Sequence, residues 1–242
     1  MLLAIETSSR QLGVAVVDGN QLVSSYELLA EYPHAVELPD AVARVLRAAH
    51  TSLDRLDAIA VDIGPGSFTG LRIGLAFTKA LAFARKTPVI GVPSLDVLAA
   101  NLPFTAQLVC PVVDAKQKNV YAALYRFEAD GPKRQTDYLR GPVDDVLALI
   151  KEPVILLGDG AALYRDRVVE HLGTRAAFAS SEYGLPRAAI VARLGQARLA
   201  QGQRDDPSTL VPMYLYPQDC SVNPHVSTRA QGAPRKTVPA PS

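Results

Sequence analysis

Short apolar runs and helical periodicities alternate along this chain. Leu2–Ile5 and Leu12–Val17 are apolar and partly β-branched, and Asp18-Gly19-Asn20 supplies the turn chemistry leading into Gln21–Leu29. The opening therefore reads as a three-strand meander. After Tyr32-Pro33, the residues Leu38, Ala41, Val42, Val45, Leu46 and Ala49 recur at helical spacing with Glu37, Asp40, Arg44 and Arg47 between them, which predicts an amphipathic helix. Ala58–Ile63 reads as a buried strand, broken by Gly64-Pro65-Gly66, and a helical pattern resumes from about Thr69 to Ala84. A strand over Val89–Val92 leads through Pro93 into a helix near Ser94, whose hydroxyl is placed to cap its first turn.

The second half follows the same plan. Leu108–Asp114 is an apolar strand ending in a carboxylate, followed by a strand over Asn119–Phe127, another near Gln135–Leu139, a helix over Asp144–Ile150 and a strand over Val154–Leu157. Gly158-Asp159-Gly160 then breaks the chain before a helix from Ala161 to Leu172, and a last helix runs from about Arg187 to Gln201. Ala4-Ile5-Glu6 matches Val112-Val113-Asp114 in this scheme, so the expected fold is α/β, a duplication of one β-β-β-α-β-α unit. The expected units are 1–103 and 104–216. The polar, Pro-rich stretch 217–242 is expected to stay disordered, because it has too few large apolar groups to offset its ordering entropy.

Charge narrows the picture. With 25 Lys and Arg against 24 Asp and Glu, the net charge of +1 gives no general attraction to phosphate polymers. Any nucleic acid would have to be held mainly by something else. Two cysteines, Cys110 and Cys220, are too few for a disulfide scaffold and point to a reducing cytosol. Glu6 interrupts the first apolar run, which reads as a strand and not a signal peptide. The longest apolar stretch, Leu71 to Ala84, contains Arg72 and Lys79 and falls short of the ~20 residues that a membrane span needs, so no membrane contact is expected.

Candidate chemistry centres on Gly64-Pro65-Gly66-Ser67-Phe68-Thr69-Gly70, a strand-to-helix loop of the kind that can face an anion. Ser67 or Thr69 could cap the helix or touch a phosphate oxygen, but without a Gly-Lys-Ser/Thr ending it is no P-loop. The plainer alternative is a tight turn in which Gly66 and Gly70 allow close packing. In a two-lobed arrangement Glu6 and Asp114 would face each other across a cleft, as carboxylates that hold a metal–nucleotide do, with Gly158 and Gly160 in the matching turn. Each also has a reading as a turn or capping residue. The histidines His34, His50, His171 and His225 have no partner at metal-ligand spacing and are read as exposed or capping, and no nucleophile with an orienting base is visible. No catalytic residue and no metal ligand is assigned.

The helix after the glycine loop is apolar nearly all round. Ile73, Phe77 and Leu81 form one stripe, while Ala76, Ala80 and Ala84 form a small-residue stripe. One sheet covers one side, so the other, together with Leu38, Val42, Val45 and Leu46 of the preceding helix, is expected to meet a second protein. The alternative is that the neighbouring helix covers it completely.

Leu3-Ala4-Ile5-Glu6-Thr7-Ser8, the run from Gly64 to Gly74, Ile90-Gly91-Val92-Pro93-Ser94-Leu95, and Val113-Asp114-Ala115 with Val120-Tyr121 together resemble the TsaB (YeaZ) family over about residues 1–216. The resemblance implies an actin-like (ASKHA, ribonuclease H-like) fold of two lobes. It implies a scaffold that pairs through its two N-terminal helices with TsaD, which transfers a threonylcarbamoyl group to adenosine 37 of tRNAs. It also implies the ATPase TsaE as a further partner, a homodimer when alone, contact with tRNA only through the complex, and a cytoplasmic setting. ATP or ADP at the complex interface stays open as a ligand. The catalytic relative carries a His-x-x-x-His metal pair where this chain has Ser94 and Leu98, which removes that metal and its chemistry. Tyr214-Leu215-Tyr216 departs from a frequent Tyr-Leu-Arg. A sugar-kinase-like enzyme and a metal-dependent peptidase on the same fold are the alternatives: the first needs a sugar pocket and the second paired histidines.

Overall fold

The computed structural model describes residues 1–29 and 34–215. The expected disordered stretch 217–242 lies outside them. The first half runs β1 (Leu2–Glu6), β2 (Gln11–Asp18), β3 (Gln21–Leu29), α1 (His34–Ala48), β4 (Ala58–Gly64), α2 (Phe68–Arg85), β5 (Val89–Pro93) and α3 (Ser94–Asn101). The second runs β6 (Leu108–Asp114), β7 (Asn119–Ala122), β8 (Tyr125–Glu128), β9 (Gly131–Arg134), β10 (Leu139–Pro142), α4 (Val143–Leu149), β11 (Val154–Leu157), α5 (Asp159–Leu163), α6 (Arg165–Leu172), β12 (Ala176–Phe178) and α7 (Ala188–Ala200). No helix among the described residues is long and apolar enough to cross a membrane.

Two sheets of matching topology result. The first has strand order β3-β2-β1-β4-β5, and the path through the second is β10-β7-β6-β11-β12. In each, the first strand pairs antiparallel with the second and parallel with the one that follows the first helix. This is the duplicated actin-like fold. The second unit carries an extra hairpin, β8–β9, beside β6.

Strand alternation sends the two faces of the first sheet to different helices. Leu3, Ile5, Val14, Val16 and Val61 point to α1 and α2 and pack with Leu38, Val42, Val45 and Leu46. Leu2, Ala4, Ala15, Ala58 and Ala60 point the other way, onto Ala188, Val191 and Ala192 of α7. The register aligns Ala15, Ala4 and Ala60 across neighbouring strands, a row of small side chains that lets α7 lie close. Gly195 sits on that row, where an added Cβ would stand 2.6 Å from Ala60 Cβ. The helix expected to belong with residues 104–216 thus packs on the first sheet.

Between the sheets, Leu95, Leu98 and Leu102 from α3 and the residue after it meet Val109, Ala123, Tyr125 and Leu157 of the second unit. A polar latch lies beside them. Asp96 accepts from Tyr125 Oη at 2.6 Å and from Tyr138 Oη at 2.9 and 3.0 Å. Burial lifts the Asp96 carboxyl above its usual range in spite of these donors, and burial beside that carboxyl likewise pushes both phenols up.

Four sequence expectations shift, one being the helix over Ala161–Leu172, which begins at Asp159 and divides at Tyr164 into α5 and α6. The strand over Asn119–Phe127 divides into β7 and β8, which keep one register on β6 (Val112 with Ala122, Val109 with Tyr125). The break falls at Leu124, whose N–H goes to Thr136 Oγ1 and whose carbonyl accepts from Gln135 N. The strand expected near Gln135–Leu139 is instead a connection between β9 and β10. Ser94 does not cap α3: Pro93 holds that position, and the Ser94 hydroxyl bonds elsewhere.

Candidate functional site

The floor of the site is where β1 and β4 end. After Glu6 the chain turns through Thr7–Arg10 into β2, and after Gly64 it turns through a cis Gly64–Pro65 bond and Gly66 to Ser67, the N-cap of α2. Ser67 Oγ accepts from Gly70 N at 3.3 Å, and Ser67 N donates to Ser8 O at 2.6 Å. Added Cβ atoms would come within 2.2 Å of Ser8 O at Gly66, 2.0 Å of Thr7 O at Gly70 and 2.1 Å of Thr7 Oγ1 at Gly74. These glycines let α2 rest directly on the β1–β2 turn. This close seating is what the packing alternative of the sequence reading describes.

Above this floor a cleft of about 680 Å³ opens between the units. Gly66, Ser67, Thr69, Gly70 and Asp114 line it, with Ser8, Ser9, Arg10, His34, Lys116, Tyr121 and Asp159. The second-unit wall is tied together locally: Asp114 N donates to Asp159 Oδ1 at 3.0 Å, and the Asp114 carboxylate accepts from Lys116 N at 2.8 Å and pairs with Lys116 Nζ. Partial burial works against the Asp114 anion, but the Lys116 donors outweigh it and hold the carboxyl below its usual range.

Four expected residues are elsewhere. Glu6 is completely buried and faces Asp62, not Asp114, so these two acids do not form a clamp for a metal–nucleotide across the cleft. Gly64 is buried, and a Cβ there would meet Leu71 Cδ1 at 2.8 Å. Gly158 and Gly160 close onto β6, with Val112 O 2.2 Å and 3.0 Å from their added Cβ atoms, and are packing glycines rather than cleft contacts. His34, read as exposed or capping, is half-buried and pairs through Nε2 with Ser9 O at 2.9 Å, joining the start of α1 to the β1–β2 turn. Sequence reasoning missed Asp62, although an acid inside the apolar run Ala58–Ile63 is a legible anomaly.

At the positions matched to the metal pair, Ser94 donates to Asp62 Oδ1 at 2.5 Å and Leu98 is fully buried. Neither side chain fits a metal ligand set, and no group of three or more His, Cys, Asp or Glu residues able to hold a metal occurs among the described residues.

The α1–α2 face also differs from expectation. Leu38, Val42, Val45 and Leu46 are buried in the core of their own unit and unavailable to another protein. Ile73, Phe77 and Leu81 are half-buried against that core, while Ala80 and Ala84 are exposed. The outward apolar surface adds Phe83, 89% exposed, on α2, and Val36, 67% exposed, on α1.

Residues 28–220 match the family model described as TsaD: tRNA N6-adenosine threonylcarbamoyltransferase. Against the threonylcarbamoyltransferase of Geobacter metallireducens the identity is 31% over 147 residues, which cover 54% of this chain and 43% of that protein. The chain is 29% identical to the solved YeaZ from Pseudomonas aeruginosa, with a TM-score of 0.77 over 88% of this chain and 99% of that one. It is 32% identical over 217 residues to the tRNA threonylcarbamoyladenosine biosynthesis protein TsaB of Bacillus subtilis (strain 168), spanning 88% of this chain and 93% of that protein. A match running nearly the full length of these shorter proteins, and less than half of the transferase, decides the assignment: the chain belongs to the TsaB (YeaZ) family.

Proposed function

We propose that this protein is a non-catalytic subunit for forming N6-threonylcarbamoyladenosine on tRNA, and that it acts by docking the outward face of α1 and α2 against a TsaD-type catalytic subunit. The observation that carries this reading is the exposed apolar side of α2, with Ala80, Phe83 and Ala84 facing outward. Alanines let a partner helix approach closely, and a fully exposed phenylalanine gains most from being covered. The chemistry of the site supports a binding role, since Ser94 and Leu98 stand where the catalytic relative has metal ligands and both are taken up by the interior. In the absence of TsaD the same face joins two copies of the chain. TsaE joins the assembly through the complex, and tRNA is held by the complex rather than by this nearly neutral chain.

Light scattering of the protein alone and mixed with the TsaD of its own organism tests the reading. A one-to-one complex is expected. Ala80→Glu should leave folding intact, because Ala80 is exposed, and weaken the complex. An unpartnered polar group buried in an apolar contact costs ~2 kcal/mol or more, roughly 30-fold in affinity. Absence of a complex at micromolar concentrations, or undiminished binding by the folded variant, would refute this docking face.

A further inference from the structure

Beneath the cleft, the parallel register that pairs Ile5 with Val61 brings Glu6 and Asp62 side by side on the next rung. Both carboxyls are completely buried. Glu6 Oε1 accepts from Ser8 N and Ser8 Oγ, each at 2.6 Å. Asp62 Oδ1 accepts from Gly64 N at 2.7 Å and Ser94 Oγ at 2.5 Å. Their other oxygens, Glu6 Oε2 and Asp62 Oδ2, are buried with no donor from elsewhere in the protein. Four hydrogen bonds therefore hold Glu6 Oε1 and Asp62 Oδ1, while Glu6 Oε2 and Asp62 Oδ2 are left buried without a partner on two side chains close enough to interact, with the Ser8 side chain near both.

No cation compensates the pair among the described residues. In the cleft, Lys116 is paired with Asp114 and His34 with the Ser9 carbonyl, and Arg10 makes no contact with either acid. From the α7 side, Arg187 pairs with Glu27 and Arg193 donates to Ala100 O. On α2, Arg72 donates to Tyr214 and Arg85 to Asp54. On α3, Asp96 is turned to the two tyrosines, and Ser94 is the residue of that helix that reaches Asp62. Two adjacent, buried and uncompensated carboxylates cannot both be ionised.

We propose that Glu6 and Asp62 share a single proton between Glu6 Oε2 and Asp62 Oδ2, and that this protonated pair is the clasp fastening the cleft-lining Ser8 and Gly64–Ser67 turns to the start of α3. The proton comes from solvent on folding. Burial first, and then the neighbouring Asp62 charge, lifts the Glu6 carboxyl well above its usual range, and burial lifts Asp62 as well. The native chain then binds more protons than the unfolded one above pH ~4.3, the ordinary glutamate value. The clasp's contribution is fully present below that value and is lost as pH rises through the folded-state titration. It stands independently of what the α2 face meets.

Isosteric amides distinguish a shared proton from other arrangements. In Glu6→Gln the amide N–H donates to Asp62 Oδ2, and in Asp62→Asn it donates to Glu6 Oε2, so each single variant replaces the proton. In the double variant, either two amide nitrogens face each other or Ser8 N–H faces one. At pH ~5 both single variants should therefore melt near wild type, and the double variant well below the sum of their effects. The wild-type folding constant should fall with pH relative to Glu6→Gln by roughly tenfold per unit above pH ~5, one proton's worth. The Asp96 contribution is common to both and cancels. In wild type at neutral pH, infrared spectra should show a protonated carboxyl band that moves on ¹³C-glutamate labelling. Absence of that band overturns the proposal, as do additive variants or a wild-type pH slope identical to that of Glu6→Gln. Loss of folding in both singles, with melting of the wild type lowered by EDTA, overturns it in favour of a bound cation.

Discussion

Gly70→Ala separates packing from helix propensity on α2. In an isolated helix the change would gain ~1 kcal/mol, because alanine is the best helix former and glycine among the poorest. Here the new Cβ would sit 2.0 Å from Thr7 O, about 1.4 Å short of the 3.4 Å at which ordinary contact begins. Thr7 is completely buried, so its carbonyl has no free direction in which to yield. If α2 backs away instead, the 2.6 Å bond from Ser67 N to Ser8 O is lost, at ~1 kcal/mol. Overpacking adds roughly 1–3 kcal/mol. Set against the propensity gain, the net loss is about 2 kcal/mol, which for a chain of this size lowers the melting temperature by roughly 4–8 °C. Thermal and urea unfolding followed by circular dichroism measures it. Ala84→Gly, exposed near the end of the same helix, supplies the comparison and should lose only ~1 kcal/mol, from propensity alone. A Gly70→Ala variant as stable as wild type would refute the close seating of α2 on the β1–β2 turn.

Other outcomes follow from single contacts. Tyr138→Phe removes one of the two phenol donors to the buried Asp96 carboxyl and should cost about 1.5–3 kcal/mol in urea unfolding, as a hydrogen bond to a charged group does. An unchanged midpoint would show that the latch between the units carries no load. Burial pushes the Cys110 thiol up to about 12, so alkylation at Cys110 in the native protein at neutral pH should proceed only at the rate of unfolding, which mass spectrometry of the 110-containing peptide can follow. Fast labelling of that peptide under native conditions would contradict its placement in the core.

The legible parts of the fold were those written in one element at a time. The apolar, partly β-branched runs Leu2–Ile5 and Leu12–Val17 and the spacing of Leu38, Val42, Val45 and Leu46 name strands and a helix without outside help, and the observed β1, β2 and α1 contain them. The repeat of Ala4-Ile5-Glu6 in Val112-Val113-Asp114 likewise foretold two sheets of one topology. What was not legible depends on which residues meet. Helical spacing identified Leu38, Val42, Val45 and Leu46 as an apolar stripe but not its occupant, which is the chain's own sheet. Gly70 and Thr7 are distant in sequence, so an anion loop and a packing turn look alike until the turn is in place. Glu6 was noticed for its place at a strand end, yet its partner is Asp62 on the neighbouring parallel strand, and register is a property of pairing that neither strand reveals alone.

The seat of α7 on the alanine row bears on how the protein is made. β1, β2 and β4 leave the ribosome within the first 64 residues, but the helix that closes over Ala4, Ala15 and Ala60 begins at Ala188. During translation the alanine row therefore waits without its covering helix while the entire second unit is synthesised, although Val97 of α3 already joins the same cluster. Its small side chains make that wait safer, since a flat row of alanines offers less for a wandering hydrophobic segment to grip than leucines would. A nascent chain stalled before residue 188 carries this open face, and the final closure of the N-terminal sheet is among the last events in the birth of the molecule.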